Sequence, residues 1–266
     1  MNGLSHITET FHTLKSEGRT ALMPYFTLGY PTPAASLDVI EALARSGADL
    51  IELGVPFSDP LADGPTIQHS TQVALEQGVS VRRCLELVAE IRARGVRQPL
   101  LLMGYVNPIL AYGLERYVID ACRAGADGLI VPDLPLEEAA ALETACREHG
   151  LALVYLVSPA STPERIAALS GRATGFLYLV SLTGVTGARN ALPPNLADFV
   201  ERVRAVARTP LAVGFGISTP EQARGVGSLA DGVIIGSALI HAVTQGEASA
   251  EAASAYLTRI RAGLDQ

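Results

Sequence analysis

The sequence predicts an α/β fold: one (βα)8 barrel with an extra amino-terminal helix and extra helices near the second and eighth strands. Eight short apolar stretches alternate with helix-patterned segments along the 266 residues. These stretches read as continuous apolar runs, as strands covered on both faces do. No linker-like break interrupts them, so residues 1–266 are expected to form a single domain, a size such barrels commonly reach. The alternative, an open doubly wound sheet, normally needs fewer strands at this length.

Ile7, Phe11 and Leu14 recur at helical spacing and predict a short lead-in helix over 5–17. Ala21–Gly29 is the first strand, and Thr32-Pro33 supplies a cap and a first-turn proline for a helix reaching about Arg45. The second strand begins near Asp49, with helices expected over 66–76 and 81–94. Pro99–Tyr105 is the third strand, ending in Asn107-Pro108 before a helix over 114–124. Gly128–Asp133 is the fourth, followed by a helix to His149. Leu151–Ser158 and Phe176–Ser181 are the fifth and sixth, with Thr162-Pro163 opening a helix between them. A long loop, Leu182–Pro194, leads to a helix over 195–207. Pro210–Gly216 and Gly232–Gly236 complete the strands; Thr219-Pro220 opens a helix between them, and helices follow near 237–244 and 249–262. Gly47-Ala-Asp49, Gly125-Ala-Asp127 and Leu229-Ala-Asp231 stand just before the second, fourth and eighth strands, an internal echo that supports the count.

Hydrophobic residues make up 48% and charged residues 18%, which excludes a disordered chain; no apolar run reaches the length of a membrane span. The formal charge of −7 and the absence of any Lys/Arg run argue against nucleic acid as a partner. Cys84, Cys122 and Cys146 form no CxxC and the five histidines are scattered, so neither a disulfide framework nor a metal site is indicated, and no cofactor is expected. No secretion signal is recognisable, which with the isolated cysteines points to a soluble, reduced cytoplasmic protein.

The chemistry is expected around residues 49–65. In a strand here, Leu50, Glu52 and Gly54 share one face, while Ile51, Leu53 and Val55 share the other. Glu52 therefore lies in line with apolar positions, where an acid must be partnered, protonated or exposed at the mouth of a cavity. A structural ion pair is one reading of it, and function is the other. The following Pro56–Pro65 must be a loop, with three prolines and a glycine in ten residues. Folding back, it can bring Asp63 or Asp59 over the same cavity, giving two carboxylates in unlike surroundings to divide acid and base roles.

Barrel sites lie at the carboxyl ends of the strands. There, Gly184-Val-Thr186-Gly187, Gly214-Phe-Gly216 and Gly236-Ser237 follow the sixth, seventh and eighth strands. Glycines permit close backbone approach, and a helix opening at Ser237 presents free amides, so the three groups read as a phosphate cradle. Tyr25, Tyr105, Tyr178, Phe215 and Ile67 are suited to hold a flat apolar group beside the acids.

The stretch Glu52-Leu-Gly-Val-Pro-Phe-Ser-Asp-Pro-Leu-Ala-Asp-Gly-Pro-Thr-Ile-Gln68 closely resembles the signature of the tryptophan synthase alpha subunit family. Gly184–Ala188, Gly214–Ser218 and Gly236-Ser237 resemble it in order and context. The resemblance implies a TIM barrel that splits indole-3-glycerol phosphate into indole and glyceraldehyde 3-phosphate, passing indole to a beta subunit within an alpha2beta2 tetramer. It implies Glu52 as general acid-base, Asp63 as acceptor of the indole N–H, and Tyr178 as a support for Glu52. It also implies a phosphate site at Gly187, Gly216, Gly236 and Ser237, Thr186 and Gly214 as further substrate-binding residues, and an indole pocket of Tyr105, Ile67, Ile130, Leu156 and Phe215. Leu182 stands where some members carry Arg, Tyr25 where Phe is common, and Ser158 where Pro is common.

Overall fold

The computed structural model describes residues 2–180, 193–214, 216–246 and 249–266. The amino-terminal helix α1 (Gly3–Ser16), capped by the Asn2 side chain, leads into β1 (Ala21–Thr27) and α2 (Pro33–Arg45), whose cap is Thr32. Then come β2 (Ile51–Gly54), α3 (Pro65–Glu76), α4 (Val81–Ala93), β3 (Leu100–Met103), α5 (Val106–Tyr112) and α6 (Leu114–Ala124). The middle of the chain forms β4 (Gly128–Ile130), α7 (Ala140–His149), β5 (Ala152–Val157), α8 (Pro163–Arg172) and β6 (Leu177–Val180). The rest is α9 (Leu196–Arg204), β7 (Leu211–Gly214), α10 (Pro220–Gly227), β8 (Gly232–Ile235), α11 (Ser237–Gln245) and α12 (Ala250–Leu264). The eight strands are parallel in sequence order, and β8 pairs with β1, closing the barrel.

The extra helices stand where the sequence puts them: α1 before the barrel, α3 and α4 after β2, α11 and α12 after β8. α5 was not expected, because Asn107-Pro108 reads as a break. Pro108 is the third residue of that helix, inside the first turn, where a missing N–H leaves no intrahelical bond unmade. The Val106 N–H donates to Asp133 Oδ1 at 2.9 Å, so the start of α5 is tied down from the loop after β4. β4 is shorter than the predicted Gly128–Asp133 stretch, because Pro132 cannot donate to a ladder.

Two buried layers follow from the alternation of side chains. Leu50, Leu101, Ile130, Val154, Tyr178 and Ile234 fill the barrel interior, while Ile51, Leu53, Leu100, Leu102 and Leu129 pack outward against the helices. The face assignment made for residues 50–55 therefore holds. Ile7, Phe11 and Leu14 of α1 join the interior cluster, with the Phe11 and Phe176 rings 5.7 Å apart. α1 thus plugs the amino-terminal end of the barrel and leaves the carboxyl end for chemistry.

The three aspartates of the internal echo perform one repeated task. Asp49, Asp127 and Asp231 each donate a backbone N–H to the carbonyl of Leu22, Leu100 or Leu211 on the preceding strand. Each carboxylate accepts the N–H of that same leucine at 2.8 Å. Each is also paired with an arginine from an outer helix, Arg261, Arg92 or Arg204. These clamps fix strand register at the end of the barrel away from the site.

Candidate active site

Glu52 stands in register between Tyr25 of β1 and Leu101 of β3, on the inward face of β2. Its exposure is 0%, and among the described residues neither carboxyl oxygen has a hydrogen-bond partner. Burial alone pushes its pKa up to about 8. A structural acid would be held by an ion pair, as Asp49, Asp127 and Asp231 are. An unpaired carboxyl inside the barrel, with its pKa raised by burial, marks Glu52 as a candidate functional group.

Asp63, 7% exposed, is the loop acid that turns inward. Tyr105 at the end of β3 donates its hydroxyl to Asp63 Oδ2 at 3.0 Å and accepts the Ala62 N–H at 3.0 Å. Burial raises the Asp63 pKa to about 6, against the opposing effect of the Tyr105 bond. Asp59, the other acid the loop offered, is exposed and bonded by the neighbouring Ser58 hydroxyl. Of the two acids that the loop offers, Asp63 is therefore the one turned inward.

Tyrosines surround the two acids. Tyr178 is buried on β6 beside Leu156 and Ala212, and burial followed by the nearby Glu52 carboxyl holds its phenol well above the usual range. Tyr25 is raised likewise, by burial and then by Asp63. Both lie across glycines: a Cβ on Gly54 would stand 2.0 Å from the Tyr25 hydroxyl, and one on Gly214 2.3 Å from that of Tyr178. Packing thus gives Gly214 a reason of its own, which a reading confined to phosphate contact missed. Behind Tyr25, Thr27 and Ser70 share a buried hydroxyl bond of 2.7 Å.

Ile130 and Leu156 line the interior with Tyr178, and Ile67 is buried on α3. Phe57, which the sequence did not single out, lays its ring 5.5 Å from that of Tyr105. Its place in the Pro56–Pro65 loop was the available signal. Gly216 has φ +83°, a backbone that favours glycine on its own account. Gly236 begins α11 with no side-chain cap, and a Cβ there would meet Tyr25 only at an ordinary 3.4 Å. The first-turn amides of α11, that of Ser237 among them, therefore have no side-chain cap, the condition under which a helix start can take an anion. Thr186, Gly187 and Phe215, with Leu182 and the rest of the loop up to residue 192, lie outside the described residues.

A closed βα barrel with two inward acids of unequal pKa and a free helix start at its carboxyl mouth belongs to the acid-base enzymes that act on small anionic substrates. The chain belongs to the tryptophan synthase alpha chain family, whose model matches residues 11–264. It is 55% identical over 237 residues to the tryptophan synthase alpha chain of Chloroflexus aggregans, covering 89% of each chain. Among solved structures it is similar to Mycobacterium tuberculosis tryptophan synthase, with a TM-score of 0.91, 41% identity and 98% of each chain covered. The alpha subunit of Legionella pneumophila is equally close in fold, with a TM-score of 0.91, 39% identity, and 100% and 99% covered.

Proposed function

We propose that Glu52 and Asp63 carry out the alpha reaction of tryptophan synthase, the cleavage of indole-3-glycerol phosphate to indole and glyceraldehyde 3-phosphate. The observation that carries the assignment is Glu52 itself, wholly buried among apolar side chains with both oxygens unpaired. With a pKa near 8 it is mostly protonated at neutral pH, so it acts first as an acid and then as a base.

In the first step Glu52 gives its proton to the indole carbon that bears the glycerol chain. The ring becomes cationic and its N–H is held by the Asp63 carboxylate, which is largely ionised at pH 7. Glu52, now a carboxylate, takes the proton from the adjacent side-chain hydroxyl. The O–H electron pair forms the aldehyde C=O, the carbon-carbon bond breaks, and its electron pair restores the neutral indole ring. Glu52 ends protonated, ready for another turnover. Tyr178 positions Glu52; Tyr105, Ile67, Ile130, Leu156 and Phe215 enclose the ring. Gly216, Gly236 and Ser237, with Thr186 and Gly187, bind phosphate through backbone amides and the Ser237 and Thr186 hydroxyls, and Gly214 makes room beside them.

Indole then passes to a beta subunit, the partner with which the alpha chain works. Leu61, in the loop that carries Asp63, is 87% exposed, and Leu110 on α5 is 56% exposed, so the carboxyl face offers uncovered apolar side chains to such a partner. No helix among the described residues is long and apolar enough to cross a membrane, which suits a cytoplasmic enzyme. The deciding experiment is an indole-release assay of the purified chain and its Glu52→Gln variant, with and without a beta subunit. Turnover by the parent chain, lost in a folded variant, is the expected result. Undiminished turnover in the variant would overturn the assignment.

A further inference from the structure

At the opposite end of the barrel lies a cavity of about 430 Å³ that the alpha reaction does not use. It sits between α1, α9 and the turns that enter β1, β7 and β8. Lys15, Arg19, Arg204 and Arg208 line it against one acid, Asp231. Such a concentration of positive charge runs against a chain whose net charge is −7. Arg204 is paired with Asp231 at 2.9 Å, and Arg19 with Glu17 at 3.0 Å and Asp49 at 3.5 Å. Lys15 and Arg208 have no side-chain hydrogen bond or ion pair among the described residues.

A second cavity of about 390 Å³ adjoins the first along α1, and the two share Phe11, Lys15, Arg208, Thr209 and Pro210. Its outer wall is mainly apolar, formed by Leu4, Ala173 and Gly175 with Phe11 and Pro210. Beneath the junction, the Thr209 hydroxyl is buried with no hydrogen-bond partner. Thr209 lines both cavities, so this unsatisfied hydroxyl belongs to the wall they share. The groove thus joins two unpaired cations and an unsatisfied hydroxyl to an apolar shelf.

We propose that this groove is a second ligand site, taking a small organic anion whose carboxylate or phosphate lies between Lys15 and Arg208 and whose flat apolar body lies along the half-buried Leu4 and Pro210. The proposal is independent of the chemistry assigned to the carboxyl end. Lys15 is the only lysine in the sequence, which makes the site addressable. Reductive ¹³C-methylation keeps its charge and gives one lysine resonance, separate from that of the terminal amine. Phenyl phosphate and benzoate are the probes, and whichever shifts the Lys15 signal at lower concentration identifies the preferred headgroup.

The expected result is a saturable shift with at least one of these anions. Inorganic phosphate should need roughly tenfold more, and phenol should leave the signal in place. Arg208→Ala should weaken the response at least about tenfold; in Arg208→Lys, where the new lysine adds a second methyl resonance, both lysine signals should shift at close to the concentrations that move Lys15 in the parent, while indole release is unchanged in both variants. A Lys15 signal unmoved by both aromatic anions, equally moved by phenol, or unaltered in its titration by Arg208→Ala would overturn the proposal.

Discussion

Tyr105 and Asp63 are joined by a 3.0 Å hydrogen bond from the phenol to Oδ2, and the same phenol oxygen accepts the Ala62 N–H. One side chain at the end of β3 therefore fixes both the acid and the backbone of the loop that delivers it. Removing the hydroxyl leaves the ring to wall the pocket but frees the acid. Tyr105→Phe is expected to lower kcat about tenfold, the scale of a hydrogen bond to a charged group, with a smaller change in KM. Because that bond lowers the Asp63 pKa, the variant should also need a higher pH to ionise Asp63. Steady-state rates across pH measure both effects, and an unchanged acid side would count against the link.

The pH dependence of the parent enzyme follows from the two acids. Asp63 must be ionised and titrates near 6, while Glu52 must begin protonated and titrates near 8. A plot of kcat/KM against pH should therefore be bell-shaped, with limbs near these values. Asp63→Asn should erase the acid limb and lower kcat more than it weakens substrate binding, since the charge matters most when the ring is cationic. A profile still falling below pH 6 in that variant would assign the limb to another group.

Glu52 should also leave its mark on stability. Its carboxyl keeps its proton to about pH 8 in the fold but only to about 4.5 in the unfolded chain. Between those values the folded state binds more protons, so this contribution is complete below about 4.5 and is lost as pH rises to 8. Glu52→Gln abolishes the titration. The variant should lose about 10² to 10⁴ in turnover. It should also gain on the parent by about 2–4 kcal/mol between pH 4.5 and 8.5. Comparing urea midpoints of both proteins at the two pH values cancels the fixed cost of burying an amide. Parallel behaviour would mean that Glu52 is ionised in the fold at neutral pH.

The barrel was legible because its strands are uninterrupted apolar runs and because period-two alternation fixes which of residues 50–55 face inward. The acid at position 52 stood out for the same reason. Contacts that depend on register were not legible. That Gly214 makes room for Tyr178 requires knowing that β6 and β7 are neighbours with Tyr178 beside Ala212. The capture of Asp63 by Tyr105 depends on how a proline-rich loop folds back, which no periodicity encodes. α5 was hidden because its start is tied to Asp133, 27 residues further on. The Asp49, Asp127 and Asp231 echo was visible as a spacing, but its meaning as three Arg-backed clamps needed the structure.

Phosphate binding can be isolated at Gly236. The start of α11 is uncapped, and an added Cβ would meet Tyr25 at an ordinary distance, so the fold should accept Gly236→Ala. Gly216 is a poorer choice because its positive φ would add backbone strain. Gly236→Ala should raise KM for indole-3-glycerol phosphate roughly five- to tenfold by blocking close approach to the amides. Cleavage of the same substrate without its phosphate should be unaffected. Equal losses with both substrates would place the defect elsewhere.

Association with a beta subunit should be coupled to the alpha site through the Pro56–Pro65 loop. Leu61 and Asp63 are two residues apart in it, the first exposed to a partner and the second turned inward to Tyr105. A partner that covers Leu61 acts on the segment that positions Asp63. If it favours the loop arrangement that substrate also favours, each ligand must tighten the other, with a coupling on the order of 1–3 kcal/mol. Leu110 on α5 shares the exposed face but not the loop. Leu110→Asp should therefore raise the beta-subunit Kd about tenfold or more and leave the activity of the isolated chain unchanged. In a titration with beta subunit, an uncleavable substrate analogue lacking the side-chain hydroxyl that Glu52 deprotonates should lower Kd by roughly five- to 150-fold. The same ratio should persist in Leu110→Asp, because that substitution weakens docking without touching the coupling element. A Kd indifferent to the analogue would show that the loop does not connect the two sites.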